Sequence, residues 1–349
     1  MYFTSRYNQL NVSIYGKSPT LLTSKFIGWC GIMILRFGYV STALALWEAS
    51  PSRTLTFTNW KKQDEASRRD KLLFLTEQNL KNTLRIIHYN IAHGIDVYRM
   101  SSSLVPLATH PEVKWDFVTP FESLFKEIGA MIQKHQLRVS FHPNQFTLFT
   151  SPKEHITTNA IIDMTYHYKM LEAMGLQNDA NMNIHVGGTY GDKEKAIESF
   201  NNNFVKLDEH IRMQTTLEND DKTYTAEETL TVCEQHNVPF VFDYHHHWAN
   251  SGDLDFEELL PRIFATWERT GKVPKFHLSS PKSEKLIRAH ADYVDLDFAI
   301  PFIQALKDFG KSADIMIEAK SKDLAALQLV EELGKMRGFK RIKGATIEI

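Results

Sequence analysis

The sequence predicts an α/β protein folded as a single (β/α)8 TIM barrel with a metal site at the C-terminal rim, and three observations predict it. Eight short apolar segments recur along the 349 residues. The stretches between them are long enough for a crossover helix and carry a helical period, as parallel neighbours require. Polar residues stand at or near the segment ends, and at six of them these include His, Asp or Glu. In a closed parallel barrel all C-terminal strand ends meet on one rim, so residues spread over about half the chain converge there.

The segments are Ile34 to Ser41, Asp96 to Ser102, Arg138 to Gln145, Asn181 to Gly188, Gln214 to Asp220, Val238 to His246, Pro274 to Ser280 and Asp314 to Lys320. Runs such as Val238 to Phe242 are continuously apolar, as expected of strands covered on both faces. Between the second and third, Phe121, Leu124, Phe125, Ile128, Met131 and Ile132 form one apolar helical stripe. Thr225 and Glu228 make a capping box that opens a helix through Leu230 and Val232. Gly94, Gly175 and Gly310 follow helical stretches where a left-handed residue ends a helix. The charged run Glu65 to Lys71 reads as a solvated loop or helix start.

Barrels of this kind often reach this length as one domain, and no Ser-, Gly- or Pro-rich linker divides the chain. The reading is a leader over residues 1–32 and one barrel domain over 33–349. The leader has no acidic residue, no clear period, and an apolar run, Phe26 to Leu35, too short to span a bilayer. It reads as a disordered or incidental segment, with Met33 as an alternative start. Two cysteines, Cys30 and Cys233, lie far apart, which argues against a structural disulfide and fits a reducing cytoplasm. A formal net charge of −2 gives no global basic field, so any contact with DNA needs a local basic surface.

The chemistry sits at the strand ends: His142, His185, Glu218, Asp243 with His246, Lys275 with His277, Glu318, and His290 on a loop that can reach them. Mixed imidazole and carboxylate donors without thiolate suit Mn²⁺, Zn²⁺ or Fe²⁺ rather than a structural Cys-type zinc. The donors exceed what one ion can use, so two or three ions are implied, with a carboxylate such as Glu218 bridging. In the run Asp243 to His247, a turn after Asp243 would present His246 three residues later and leave His245 and His247 pointing elsewhere; the preference for His246 over its two neighbours rests in part on the resemblance described below. Lys275 and His277 are two apart on a strand and share a side. An ammonium beside divalent ions is repelled, so Lys275 must be neutral, displaced or modified; a carbamate formed with CO₂ would make it an anionic oxygen ligand. The centre would remain net positive and attract a phosphodiester.

Several segments together resemble the UV damage endonucleases: Arg36 to Ser41 (RFGYVS), Tyr98 to Pro111 (YRMSSSLVPLATHP), Ser140 to Phe146 (SFHPNQF), Ile184 to Lys193 (IHVGGTYGDK), Leu217 to Asp221 (LENDD), Phe242 to His247 (FDYHHH), Lys275 to Ser279 (KFHLS) and Ile317 to Lys320 (IEAK). The resemblance runs from about Met33 to Lys320 and leaves residues 1–32 outside. That family is similar in fold and metal arrangement to endonuclease IV, an abasic-site nuclease, with a groove for duplex DNA. The resemblance implies that His142, His185 and Glu218 hold a more exposed ion, and that Glu218, Asp243, His277 and Glu318 hold a buried one. His246 and His290 would hold a third, with Lys275 at the family's carboxylated lysine. Mn²⁺ is the implied metal, with Mg²⁺ or Zn²⁺ as alternatives.

The implied reaction is ATP-independent incision of double-stranded DNA immediately 5′ to cyclobutane dimers and 6-4 photoproducts, and at abasic sites, by a metal-activated water. No Walker-type glycine loop is present. Glu218, Lys275 and Glu318 would serve catalysis, and Lys320, two residues beyond Glu318, is a candidate phosphate contact. The resemblance places a damage-probing pair at Gln145 and Phe146, where better-known members often carry Gln-Tyr. Tyr39 is a candidate to stack on damaged bases. The chain reads as a monomer with no membrane segment. Alternatives are a sugar isomerase or epimerase on a similar metal-bearing barrel, and a DNA-binding barrel without activity.

Overall fold

The computed structural model describes residues 32–349; the leader reading and Cys30 fall on residues 1–31 and so lie, but for Ile32, outside the described residues. Eight parallel strands close on themselves: β1 (Ile34–Val40), β2 (Val97–Arg99), β3 (Arg138–Phe141), β4 (Asn181–His185), β5 (Thr215–Glu218), β6 (Phe240–Asp243), β7 (Lys275–Leu278) and, after the excursion hairpin β8 (Pro281–Ser283) and β9 (Leu286–His290), β10 (Ala313–Ile317). β10 pairs with β1 and completes the (β/α)8 barrel. Seven of the eight predicted segments contain one of these strands whole, and the eighth, Asp314 to Lys320, takes in all of β10 but Ala313. Two further strands, β11 (Lys340–Lys343) and β12 (Thr346–Glu348), form a hairpin whose β12 runs antiparallel to Ile34, Leu35 and Arg36 of β1. Sequence reading did not anticipate it.

The helices are α1 (Phe57–Lys61), α2 (Glu65–His93), α3 (Glu122–Lys134), α4 (Glu154–Ala173), α5 (Lys193–Phe204), α6 (Glu209–Met213), α7 (Ala226–His236), α8 (Tyr244–Ala249), α9 (Phe256–Glu268), α10 (Leu296–Phe309) and α11 (Lys322–Leu333). The run Glu65 to Lys71 is the first two turns of α2, whose N-terminal Ser67 amide donates to Asp64. Thr225 and Glu228 form the capping box of α7. Gly94 and Gly310 are left-handed caps of α2 and α10, and Gly175 has positive φ one residue past the cap of α4. Among the described residues no helix is long and apolar enough to cross a membrane.

The apolar core lies between the barrel and its helices, with Phe125, Ile128 and Ile132 of α3 packed inward. At Gly129 on the same helix, a Cβ would fall 1.7 Å from the Met174 carbonyl oxygen at the end of α4. The two helices therefore meet closely enough that a methyl group forces the backbones apart. Gly129→Ala should lower the unfolding free energy by about 1–3 kcal/mol, read from the denaturant midpoint. An unchanged midpoint would show that α3 and α4 have room to part.

Across the bottom of the barrel, Asp314 accepts from Arg36 Nε at 2.6 Å and Arg36 Nη2 at 2.7 Å, and from Arg138 Nη1 at 2.6 Å. Strands β3 and β10 are not neighbours, so this contact crosses the barrel interior. Lys275 is paired in register with Asp314 and buried at the same level.

Candidate metal centre

Strand register brings the donors together. His185 at the end of β4 lies opposite Glu218 of β5, and Asp243 of β6 lies opposite His277 of β7. Glu318 follows β10 and its amide donates to Leu278 O of β7 at 3.0 Å. His142, His185 and Glu218 offer ligand atoms that all lie within 4.8 Å of one another, as do Glu218, Asp243, His277 and Glu318. Glu218 is common to both groups. Its Oε2 accepts from Asn183 Nδ2 and lies 3.3 Å from His142 Nε2, while its Oε1 lies 3.0 Å from His277 Nδ1 and 3.5 Å from His246 Nδ1.

The donors are buried, yet several have nothing to bond. Glu218 Oε1, Asp243 Oδ2, His185 Nδ1 and His277 Nδ1 have no hydrogen-bond partner, a costly state for polar atoms unless something else satisfies them. A cation fits that description, since every one of these atoms is a normal ligand for a divalent ion. Elsewhere the geometry leaves ligand lone pairs free. His142 Nδ1 donates to Pro143 O at 2.9 Å and His246 Nδ1 to Asn219 O at 2.9 Å, so in each neutral ring Nε2 carries the lone pair.

The turn after β6 is built by Asp243 itself. Its Oδ1 accepts from the His246 amide at 2.8 Å and caps α8, which leaves Oδ2 for the site. One helical turn then delivers His246 to the centre. His247 packs on Phe242, whereas His245 is fully buried against Ser279 and the β8–β9 hairpin. The imidazoles of His142, His185, His246 and His290 form an arc with successive ring separations of 5.2, 5.7 and 6.0 Å.

Electrostatics follow from crowding carboxylates with imidazoles. Burial opposes charge on Glu218, but His277, His185 and His142 outweigh it and hold the carboxyl well below its usual range. Burial likewise opposes charge on Glu318, whose carboxylate is held low by Arg99 and His277. Burial alone would lower His246, yet Asp243, Glu218 and Glu318 raise it to about 9. His185 is lowered by burial, which favours the neutral form a metal needs.

Lys275 shares the inner side with His277 but sits one level deeper, outside both ligand groups. Burial, then Arg138, push its ammonium far below the usual lysine range, only partly offset by Asp314. Lys320 is exposed on the rim without an acidic partner among the described residues. Gln145 and Phe146 are exposed at the tip of the loop after β3, Phe146 at 72%. That loop is tied by Asn144, whose Oδ1 accepts from the Phe146 amide at 2.8 Å.

Tyr39 corrects the sequence reading. It is fully buried and its hydroxyl donates to Asn90 Oδ1 of α2 at 2.6 Å, so it packs the helix side of β1 and is closed to stacking on a base. Sequence reasoning also missed Arg99, paired with Glu318, and Asn183, bonded to Glu218. The YRM stretch at Tyr98 to Met100 held Arg99 in plain view, but an arginine carries no ligand signature.

The fold and site define a TIM-barrel protein with a candidate centre of several divalent ions at the rim where such barrels carry their chemistry. The sequence profile described as UV-endonuclease UvdE matches residues 35–349. A UV DNA damage endonuclease of Bacillus mycoides (strain KBAB4) is 61% identical over 316 residues, covering 90% of this chain and 100% of that protein. One from Bacillus cereus (strain 03BB102) is 60% identical over the same coverage. The crystal structure of SacUVDE superposes with a TM-score of 0.77 at 27% identity, covering 86% of this chain and 100% of that one. The chain belongs to the UV DNA damage endonuclease family. The match extends past Lys320, where the motif resemblance ended, and takes in the β11–β12 hairpin.

Proposed function

We propose that this protein is a metal-dependent DNA repair endonuclease that incises immediately 5′ to UV photoproducts, and at abasic sites, leaving a 3′-hydroxyl and a 5′-phosphate without ATP. The observation that carries the proposal is Glu218: one buried carboxylate shared by two ligand groups, with its two oxygens turned to different histidines. His142 and His185 would complete one ligand set, and Asp243, His277 and Glu318 another. His246 and His290, with a carboxylated Lys275, would hold a third ion. Bound divalent ions, Mn²⁺ first among them, would supply an activated water and neutralise charge developing on the phosphate.

The chain's own residues supply the positioning. Asn183 fixes one oxygen of Glu218, and the cap on α8 fixes Asp243 and His246. Arg99 holds Glu318 in place. Lys320, without an acidic partner among the described residues, would meet a phosphate of the bound strand. The formal charge of −2 gives no long-range basic field, so damage selection would rest on deforming the duplex. A lesion lowers the cost of unstacking by about a few kcal/mol.

Incubation of irradiated and untreated supercoiled plasmid with the protein, with Mn²⁺ or with chelator, tests the function. Nicking of the irradiated plasmid alone, and only with metal, is expected; no nicking of irradiated plasmid under any metal would overturn it. Gln145 and Phe146 would wedge into the helix at the lesion. Gln145→Ala with Phe146→Ala should therefore cut incision at photoproducts by about 10–100-fold, the loss of about 1–3 kcal/mol of stacking, with metal content and unfolding midpoint unchanged. Incision at the wild-type rate would remove the probing role.

A further inference from the structure

We propose that Ser279 and His245 act as positioning residues that fix the tautomer and orientation of His290, so that its Nε2 lone pair is presented to the centre. The proposal rests on reading His290 as a ligand there, and goes beyond that reading by assigning a role to two residues outside the ligand set.

Three hydrogen bonds carry it. Ser279 Oγ lies 2.8 Å from His245 Nδ1 and 2.7 Å from His290 Nδ1, and His245 Nε2 lies 2.7 Å from Ile287 O. A carbonyl oxygen only accepts, so His245 Nε2 carries a hydrogen and donates. Ser279 has one hydroxyl hydrogen for two imidazole nitrogens. Were it given to His290, then His245 Nδ1 would also have to donate, making a fully buried imidazolium that pairs with no acidic side chain among the described residues. The hydrogen therefore goes to His245 Nδ1. Ser279 Oγ then accepts from His290 Nδ1–H, and His290 Nε2 is left with its lone pair.

The comparison with the other histidines sharpens the point. His142 and His246 obtain the same tautomer directly from backbone carbonyls, at Pro143 and Asn219. His290 lies at the end of the hairpin strand β9, opposite Pro281, and depends on a side-chain relay. The relay begins and ends on β9, at Ile287 and His290, and passes through α8 and the end of β7. It thus pins a surface hairpin to the barrel at the place where its histidine must be oriented. Groups of this kind, bonded behind a ligating imidazole, typically change metal affinity by about 10–100-fold when removed.

Imidazole nitrogen NMR on the full chain stripped of metal reads the tautomers without any catalytic assay. Wild type should show His290 protonated on Nδ1 and His245 on Nε2. Ser279→Ala should take His290 to a mixture of tautomers and weaken one Mn²⁺ binding step by about 10–100-fold, while Ser279→Thr, which keeps the hydroxyl, restores both. Should the alanine variant not fold, Ser279→Cys keeps the shape with a weaker donor and should shift the same signals. A His290 that stays protonated on Nδ1 in the alanine or cysteine variant, or Mn²⁺ binding that the hydroxyl does not influence, would overturn the proposal. Incision of irradiated plasmid by the wild type tests the nuclease reading separately: tautomers that obey Ser279 in a protein that does not nick DNA uphold the relay alone.

Discussion

Glu218→Gln should abolish incision, lowering the rate by about a thousandfold or more, and should reduce the bound divalent metal while leaving the barrel folded. The substitution keeps size and shape but replaces one charged oxygen by an amide nitrogen, which cannot ligate. Because Oε1 and Oε2 face different ligand groups, either orientation of the amide breaks one of them. The imidazoles of His277, His185 and His142 hold that carboxyl well below its usual range against burial, and the neutral amide removes the negative charge they face. Metal content by mass spectrometry, plasmid nicking and far-UV circular dichroism test this jointly. Wild-type incision with a full metal complement would sink the bridging assignment.

The second large effect is expected at Lys275, where stability and chemistry separate. The residue is buried at the level of Asp314, with Arg36 and Arg138 already bonded to that single carboxylate. A third permanent cation there has no partner. Lys275→Arg should cost about 3–5 kcal/mol of unfolding free energy, the range for an uncompensated buried charge, and should lose incision. Lys275→Met, uncharged and of similar length, should fold with near wild-type stability and still fail to incise, because it cannot form the proposed carbamate. Labelling with ¹³C-bicarbonate should give a carbamate carbon resonance in the wild type that both variants lack. A methionine variant that incises normally would exclude a ligand role for Lys275.

The strands were readable because continuous apolar runs such as Val238 to Phe242 leave a buried parallel strand few competitors, and because a capping box and left-handed glycines mark helix ends chemically. The ligand groups were readable for a related reason: a polar residue at the end of an apolar strand is anomalous unless it has work there. Tyr39 escaped because a tyrosine beside a strand end looks the same in sequence whether the pleat turns it to the axis or, as here, to Asn90 of α2. Arg99 and Asn183 escaped because their importance lies in what they touch, Glu318 and Glu218, more than 30 residues away in each case. His245 was hidden in a run of three histidines, and only the turn of α8 shows which carries which duty. The β11–β12 hairpin begins with the basic Lys340–Lys343 and was masked by its charge.

That hairpin has a consequence for how the molecule is made. β1 bonds β10 and β12, with Met33 and Ile349 exchanging backbone contacts and the Phe37 amide donating to Ala345 O at 2.8 Å. The first of the described strands to leave the ribosome thus waits for partners some 280 to 310 residues later in the chain, with both of its outer hydrogen-bonding stretches open meanwhile. A nascent edge of that kind invites pairing with other chains. Synthesis rate and chaperone supply, more than the intrinsic stability of the finished barrel, should therefore govern the yield of soluble protein.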